Sequence, residues 1–595
     1  MKKQTVIVPH ENGHHTKSRF RSKLSKYARA AEAHIGLIMA LAPVALSLIY
    51  LLLCTMRYYN IDDVIVARML SSSADSGYTG LVGTALGTII ARLYAAFPSV
   101  NWYAFTLFSV LTLSFSALGW VFSRCRPVWF FAVSLLCLQL LFLCRLSFTH
   151  TAYIGICAAI CLLLATADCS LRKCVFIYSG AALLLFVSAS IRPSGPLLSL
   201  CGLFAPACLF VLLKYKFKRI AAVALLVVLA VGILFVPAGI TDPPAEMRDE
   251  VRFYNEFKHA RAGLTDYGRL EYSDDTESIG ISENDLNLYY LYIYGDKEFF
   301  TPELLENASN LHTQVTQRSI GDFFTALFAD RIAIFMLGGM VFFSILLLNA
   351  RKKAGIYVLL TAGMFCALAA YLYFNGRMPK HVMIALEISA FLAVMLLILL
   401  DDVSISALFT LPELKKESVR ASAVQLAAAA MTAICMIALF YSVGEPVPYT
   451  VYAYSVPKHQ QTYYEKLYDP IEYAQEQGCD YLFTPRAQNQ VLSYLLNAEI
   501  DRVDIPDTNT LLGDLDIYSP GWECRMIEKG YADYLERPIF LIMKENMVVF
   551  VTDEYEAECL ATYISEHSGI PAEYEVLTGF DTSEILCVRF SYTDQ

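Results

Sequence analysis

Residues 56–70 read MRYYNIDDVIVARML, and they follow at once on an apolar run filling positions 35–55. A helix of about 20 apolar residues crosses the ~30 Å hydrocarbon layer of a bilayer. Asp62 and Asp63 therefore fall a few residues past a membrane exit, among side chains that favour lipid or interface. Beyond them Ile65/Met69 and Val66/Leu70 repeat at helical spacing, so the acids are expected to open a short helix lying on the membrane surface. Acids suit a helix N-terminus, so the pair has a capping reading. It also has a chemical one, in which one carboxylate is a general base.

The rest of the chain repeats the apolar theme. Of 595 residues, 56% are hydrophobic and 17% charged, a balance outside that of soluble globular proteins. Further apolar runs lie near 101–122, 128–145, 151–167, 174–190, 197–213, 220–238, 327–349, 355–374, 382–400 and 421–441. The predicted fold is an α-helical polytopic membrane protein with about 11 transmembrane helices.

Basic loops stay on the cytoplasmic side of a membrane. With the N-terminus inside, the basic head (1–34) and the clusters Arg124/Arg126, Arg172/Lys173, Lys214/Lys216/Lys218/Arg219, Arg351/Lys352/Lys353 and Lys415/Lys416/Arg420 all fall on that side. The stretch 80–98 is apolar enough for a twelfth span, but counting it would invert every later loop. It reads as an interfacial or re-entrant helix on the outer side. The first span is expected to remain as an anchor, since its apolar core is too long for a cleaved signal peptide.

This layout predicts a multi-pass protein of the cell membrane with a transmembrane part over 35–441, outer loops at 56–100 and 239–326, and an extracytoplasmic tail over 442–595. The tail opens on a Pro-rich linker, EPVPYTVYAYSVP (445–457), and then alternates helical and strand patterns. IEYAQEQGC reads as a helix, DYLFTP as the strand after it, PIFLIMK and NMVVFVT as a hairpin around Glu545-Asn546, and EYEAECLATYISEHSG as an amphipathic helix. About 150 residues can bury a core of their own, so a C-terminal α/β domain is expected.

Of 16 cysteines, four (Cys479, Cys524, Cys559, Cys587) lie in the tail, without the C-x-x-C spacing of a metal or redox site. Disulfides are open to them there, and the unpaired state is the first expectation. The net charge of −10 argues against nucleic acid as a partner. No Gly-rich phosphate loop follows a strand, and the cytoplasmic loops are too short for a nucleotide-binding domain.

Moving a sugar from a phosphate-linked donor to a hydroxyl needs a carboxylate to take the acceptor's proton and cations on the leaving phosphate. An isoprenoid donor brings its tail from the bilayer, so such chemistry belongs at the membrane boundary. Two acids in the first outer loop, directly after the first span and before an interfacial helix, resemble the signature of the GT-C superfamily of membrane glycosyltransferases. The eleven-span, N-inside layout and the large outer C-terminal domain are similar to it too. The resemblance implies an inverting transferase that uses a polyprenyl-phosphate or polyprenyl-diphosphate sugar, with Asp62 or Asp63 as base. It also implies a basic residue of a late outer loop on the lipid phosphate.

FNGRMPKHVM (374–383) supplies such a place, with Arg377, Lys380 and His381 in one tight outer turn. Arg192 stands at another outer exit, Arg92 on the interfacial helix of the first loop, and Arg145 and His150 flank the turn RLSFTH. Guanidinium groups fit phosphates bidentately and lysine serves as a point charge. A single arginine at a helix end also has the bland role of reaching lipid head groups.

In the second outer loop Asn284, Asp285, Tyr289 and Tyr290 form an aromatic and polar group of the kind that holds sugars. TPELLE places Thr301 and Pro302 at a helix start. Glu387 lies one to two turns inside the tenth span, where a charge is costly. No cofactor is assured, although two acids could hold Mg²⁺ or Mn²⁺ against a diphosphate.

The functional expectation is an inverting glycosyltransferase working on the outer face of a bacterial plasma membrane. It would pass a sugar from a polyprenyl-phosphate-linked donor to a glycan or polymer acceptor of the cell envelope, with membrane lipids around it. The alternatives are a non-catalytic envelope protein that binds or assembles glycans, and a lipid-linked glycan flippase or polymerase.

Overall fold

A computed structural model of the chain describes residues 34–54, 57–72, 77–126, 128–166, 171–193, 195–215, 217–235, 248–265, 270–315, 318–375, 378–404, 465–495, 512–513, 517–519, 521–577 and 585–593. The protein is mostly helical, and a small sheet lies near its C-terminal end. Helices occur at ten of the eleven expected spans: α1 (Ile35–Leu53), α4 (Trp102–Phe122), α5 (Val128–Cys144), α6 (Phe148–Ala165), α7 (Leu171–Ile191), α8 (Gly195–Lys214), α9 (Phe217–Phe235), α15 (Arg331–Asn349), α16 (Ala354–Phe374) and α17 (Lys380–Leu400). Among the described residues eight of these are long and apolar enough to cross a membrane, and α5 and α9 carry shorter apolar stretches. The eleventh expected span, 421–441, lies outside the described residues.

Helix α6 is the hub, with nearly every residue buried, because α4, α7, α8 and α17 pack around it. Small residues let backbones approach closely. Gly119 on α4 faces the Met39 carbonyl of α1, where an added Cβ would sit 2.1 Å from that oxygen. Alongside, Gln139 Nε2 donates to Pro43 O and Ser47 Oγ, both at 2.8 Å, and Ser47 Oγ pairs with Thr112 Oγ1 at 2.8 Å. This polar clip joins α1, α4 and α5 in the apolar bundle. At one end of the bundle Asp401 pairs with Lys214 and accepts the Ala354 N–H at 3.0 Å. One buried carboxylate thus ties α8, α16 and α17.

The opposite end, called here the site end, carries α2 (Ile61–Ser72) and α3 (Thr84–Ala96). The expected surface helix does start where the acids stand, but it does not lie on lipid. Val64, Ile65, Val66, Ala67, Met69 and Leu70 are all buried, since α3 and α4 cover α2 from the bundle and α19 (Pro485–Leu495) covers it from the tail. Helix α3 has 13 residues, too few to span.

The segment expected as the second outer loop folds as α10 (Arg248–Thr265), α11 (Asp274–Ser278), α12 (Glu283–Tyr290), α13 (Pro302–Val315) and α14 (Ile320–Ala329). Thr301 caps α13 as expected, through Leu304 N–H at 3.1 Å. The tail adds α18 (Glu465–Glu476), α20 (Trp522–Glu528), α21 (Glu554–Ser568) and strands β1 (Asp480–Phe483), β2 (Met547–Val551), β3 (Ala572–Val576) and β4 (Leu586–Tyr592). The sheet order is β1-β2-β4-β3, with β1 parallel to β2 and the other pairs antiparallel.

The expected hairpin of PIFLIMK with NMVVFVT does not form. Pro538 opens a short 3₁₀ helix over Pro538–Met543, and Ile539 N–H goes to Gly295 O at 2.7 Å in the second outer loop. Proline lacks the N–H a ladder needs, and β2 pairs with β1 and β4 instead.

Strand β2 explains how the parts join. All five of its residues are buried, and successive side chains point to opposite faces. Met547, Val549 and Val551 share a cluster with Leu286, Tyr289 and Phe300 of the second outer loop. Val548 and Phe550 belong with Phe483, Ala487 and the bundle residues Val66 and Leu70. Loop and tail therefore share one core, and the sheet rests its other face toward the site end. The described cysteines are free thiols.

Candidate functional site

Asn60 opens α2 by accepting the Asp63 N–H on its side-chain oxygen at 3.1 Å, and its amide donates to Asp62 Oδ2 at 3.3 Å. The cap of α2 is thus Asn60, and the two acids part ways in the first turn. Asp63 turns inward and is 0% exposed. Its Oδ1 accepts the Phe148 N–H at 2.9 Å and the Tyr103 hydroxyl at 3.1 Å, so it caps a different helix, α6. Its Oδ2 has no hydrogen-bond partner among the described residues. Burial pushes the Asp63 carboxyl well above the usual carboxylate range; the Phe148 N–H pulls it back, and the neighbouring Asp62 charge pushes the same way as burial. Asp62 stays at the rim, half-buried.

The turn 145–150 gathers the other parties. Its Leu146 exchanges main-chain bonds with the segment after α1, Leu146 N–H to Arg57 O at 2.7 Å and Tyr59 N–H to Leu146 O at 2.8 Å. The Arg145 guanidinium lies 5.9 Å from the Tyr59 ring centre, and His150 meets that ring edge-on at 4.9 Å. His150 Nε2 donates to His381 O at 3.1 Å, at the start of α17. Arg192, at the end of α7, donates to Thr149 Oγ1 and lies 5.0 Å over the Phe148 ring. Consecutive residues of one helical turn thus touch Asp63, Arg192 and His381.

Arg145 belongs to this turn, Arg192 donates to its Thr149, Arg57 meets it through its main chain, and Lys380 precedes His381, whose carbonyl accepts from His150. Lys380 is exposed as the first residue of α17, and Arg57 is 3% exposed. Guanidinium and ammonium groups are the side chains that bind phosphate. Among the sequence candidates, Asp62, Asp63, Arg192, Lys380 and His381 come together here. His381 contributes its main chain to the link with His150. Arg377 lies outside the described residues, and Arg92 is exposed on α3.

Of the expected sugar platform, Asp285 and Tyr289 are buried and Asn284 and Tyr290 half-buried. Tyr289 is buried and its hydroxyl donates to Arg261 O at 2.5 Å; Tyr290 donates to Leu270 O at 3.3 Å. Asp285 closes a capping box on Ser282 and accepts His567 Nε2 at 2.9 Å, while Asn284 donates to Cys559 O at 3.1 Å. These groups hold the second outer loop on the tail, and burial takes Tyr289 and Asp285 away from any open sugar surface. Among the described residues the one group of three or more acids and histidines close enough to share an ion is Asp285, Glu566 and His567, and it includes neither Asp62 nor Asp63.

Sequence reading missed Arg57, Asn60 and Tyr103 as parts of this site. Arg57 and Asn60 stand in the quoted stretch and their proximity to the acids was a signal. Tyr103 sits in an apolar span, where nothing local marks it. Glu387 is 2% exposed, with Oε1 lacking a hydrogen-bond partner among the described residues. Comparison of the chain with known protein families and with curated proteins finds no match to either.

Proposed function

We propose that the protein is an inverting, GT-C-like glycosyltransferase of about eleven spans whose site end faces the outside of the cell. A polyprenyl-phosphate sugar enters from the bilayer with its phosphate held by Arg192 and Lys380. An envelope hydroxyl attacks the anomeric carbon from the opposite face. As the new carbon–oxygen bond forms, the bond to the lipid phosphate breaks and takes its electron pair with it. The hydroxyl proton passes to Asp62. The cations hold the charge developing on the phosphate, so no general acid is required.

Asp63 is the positioning residue in this reading. Enclosed as it is, it orders the first turn of α6 and with it Thr149 and His150. The observation that carries the proposal is that one helical turn links Asp63, the chain neighbour of Asp62, to Arg192 and the start of α17.

The test is transfer in vesicles that contain the full chain, assayed with a panel of radiolabelled polyprenyl-phosphate sugars and envelope extract as acceptor. Asp62→Asn is expected to insert normally and lose transfer by 10²-fold or more, on the order of a general base's contribution. Equal transfer by wild type and Asp62→Asn would assign the acids to structure and favour a glycan-binding or assembly role.

A further inference from the structure

Helix α14 has an apolar face of which only one edge is covered. At 3.6 residues per turn its large apolar side chains, Ile320, Phe323, Phe324, Leu327 and Phe328, fill an arc of roughly 140°. Phe323 and Leu327 on one edge are buried, with the Phe323 ring 5.7 Å from Tyr373 and 6.1 Å from Phe374 at the end of α16. Ile320, Phe324 and Phe328 on the other edge are 69%, 46% and 59% exposed. Gly321, Asp322 and Thr325 hold the opposite, exposed side, and Ser319 with Asp322 closes a capping box at 3.1 Å.

Three large apolar side chains in a row are costly to leave in water. Their surroundings say what covers them. After Asp330 breaks the helix (φ −80, ψ 101), α15 begins at Arg331. That helix is apolar enough to span and bares Phe335 and Phe342. The bare edge of α14 therefore adjoins a face built for hydrocarbon. Just before α14, Arg318 donates to Tyr373 O at 2.6 Å, which pins the helix across the end of α16.

We propose that α14 is an in-plane membrane anchor. It lies in the boundary of the bilayer at the site end, its Ile320/Phe324/Phe328 edge among the acyl chains of that leaflet and its Asp322/Thr325 side in water. It joins α13, whose Leu305 and Ala308 belong to the core of the loop and tail, to the span α15. It thereby fixes the height at which that folded unit sits above the bilayer. This inference does not depend on sugar transfer.

The experiment places an environment-sensitive fluorescent amino acid at 324, at 328 or, as the control, at 322 of the full chain. The protein is reconstituted in phosphatidylethanolamine/phosphatidylglycerol vesicles with a share of acyl chains brominated midway. Each labelled chain must first elute as wild type, and 324 and 328 stand in for each other. Severalfold stronger bromine quenching at 324 or 328 than at 322 is expected. Equal quenching at the tested positions, or a photocrosslink from 324 to a second copy of the chain in the same vesicles, would overturn the proposal.

Discussion

Asp63 and Phe148 are 85 positions apart in sequence and 2.9 Å apart in space, carboxylate oxygen to main-chain nitrogen. A carboxyl from one helix's first turn caps the start of another, and the cap is enclosed on every side. The neighbouring Asp62 keeps its place at the rim. That division of labour gives the two acids opposite responses to the same change.

Asp63→Asn is expected to be mild where Asp62→Asn is severe. An asparagine amide matches the buried carboxyl in shape, and its oxygen still accepts from Phe148 and Tyr103. Asp63→Ala leaves that buried N–H and hydroxyl unmatched, at about 1–3 kcal/mol each. Transfer by the three variants at equal membrane abundance checks the order: Asp63→Asn close to wild type, Asp63→Ala poorly folded, Asp62→Asn folded and inactive.

Stability should depend on pH through Asp63. The unfolded carboxyl titrates near 3.8 and the folded one well above it. Between those values the folded chain binds the extra proton, so stability is full below the lower value and falls as pH rises toward the upper one. The loss is up to about 1.4 kcal/mol per pH unit. Thermal unfolding in detergent from pH 4.5 to 8 should show a steeper decline for wild type than for Asp63→Asn. Parallel curves would count against a raised Asp63 carboxyl.

Gly119→Ala should harm the bundle more than Gly155→Ala. The methyl group at 119 would meet the Met39 carbonyl at 2.1 Å, which is backbone, whereas at 155 it would meet the Ser188 hydroxyl at 1.9 Å, which belongs to a side chain. Overpacking against backbone forces α1 from α4, at about 1–3 kcal/mol. Midpoints of thermal inactivation in one detergent decide the ranking.

Asp296 holds the second outer loop to the tail. Fully buried, it accepts Arg537 Nε and the Tyr563 hydroxyl, each at 3.0 Å. Asp296→Ala strands both donors, and the loss is about 2–4 kcal/mol after allowing for partial exposure of the arginine. Limited proteolysis should then cut the region 270–315 in intact membranes much faster than in wild type.

Length and apolarity made the bundle legible, since each described span begins and ends within a few residues of its apolar run. Capping chemistry was equally plain at Thr301 and Pro302. What stayed hidden was pairing over distance. MVVFV reads as any buried strand, and nothing in it says that one face meets Tyr289 and the other leads to Val66. The same gap turned Tyr289 and Asp285 into sugar-binding candidates, because an aromatic and acidic cluster looks alike in a core and on a platform. Asp62 and Asp63 stood out by position as a candidate site, but their different burial depends on Tyr103 and Phe148, which the local sequence does not connect to them.

The most direct measurement is the lipid-linked sugar pool in cells that carry wild type or Asp62→Asn at equal membrane level. If Asp62 accepts the acceptor's proton, mass spectrometry should find a polyprenyl-phosphate sugar accumulating in the variant while one sugar disappears from the envelope polymer. An unchanged pool together with an unchanged polymer would contradict transfer chemistry at this site.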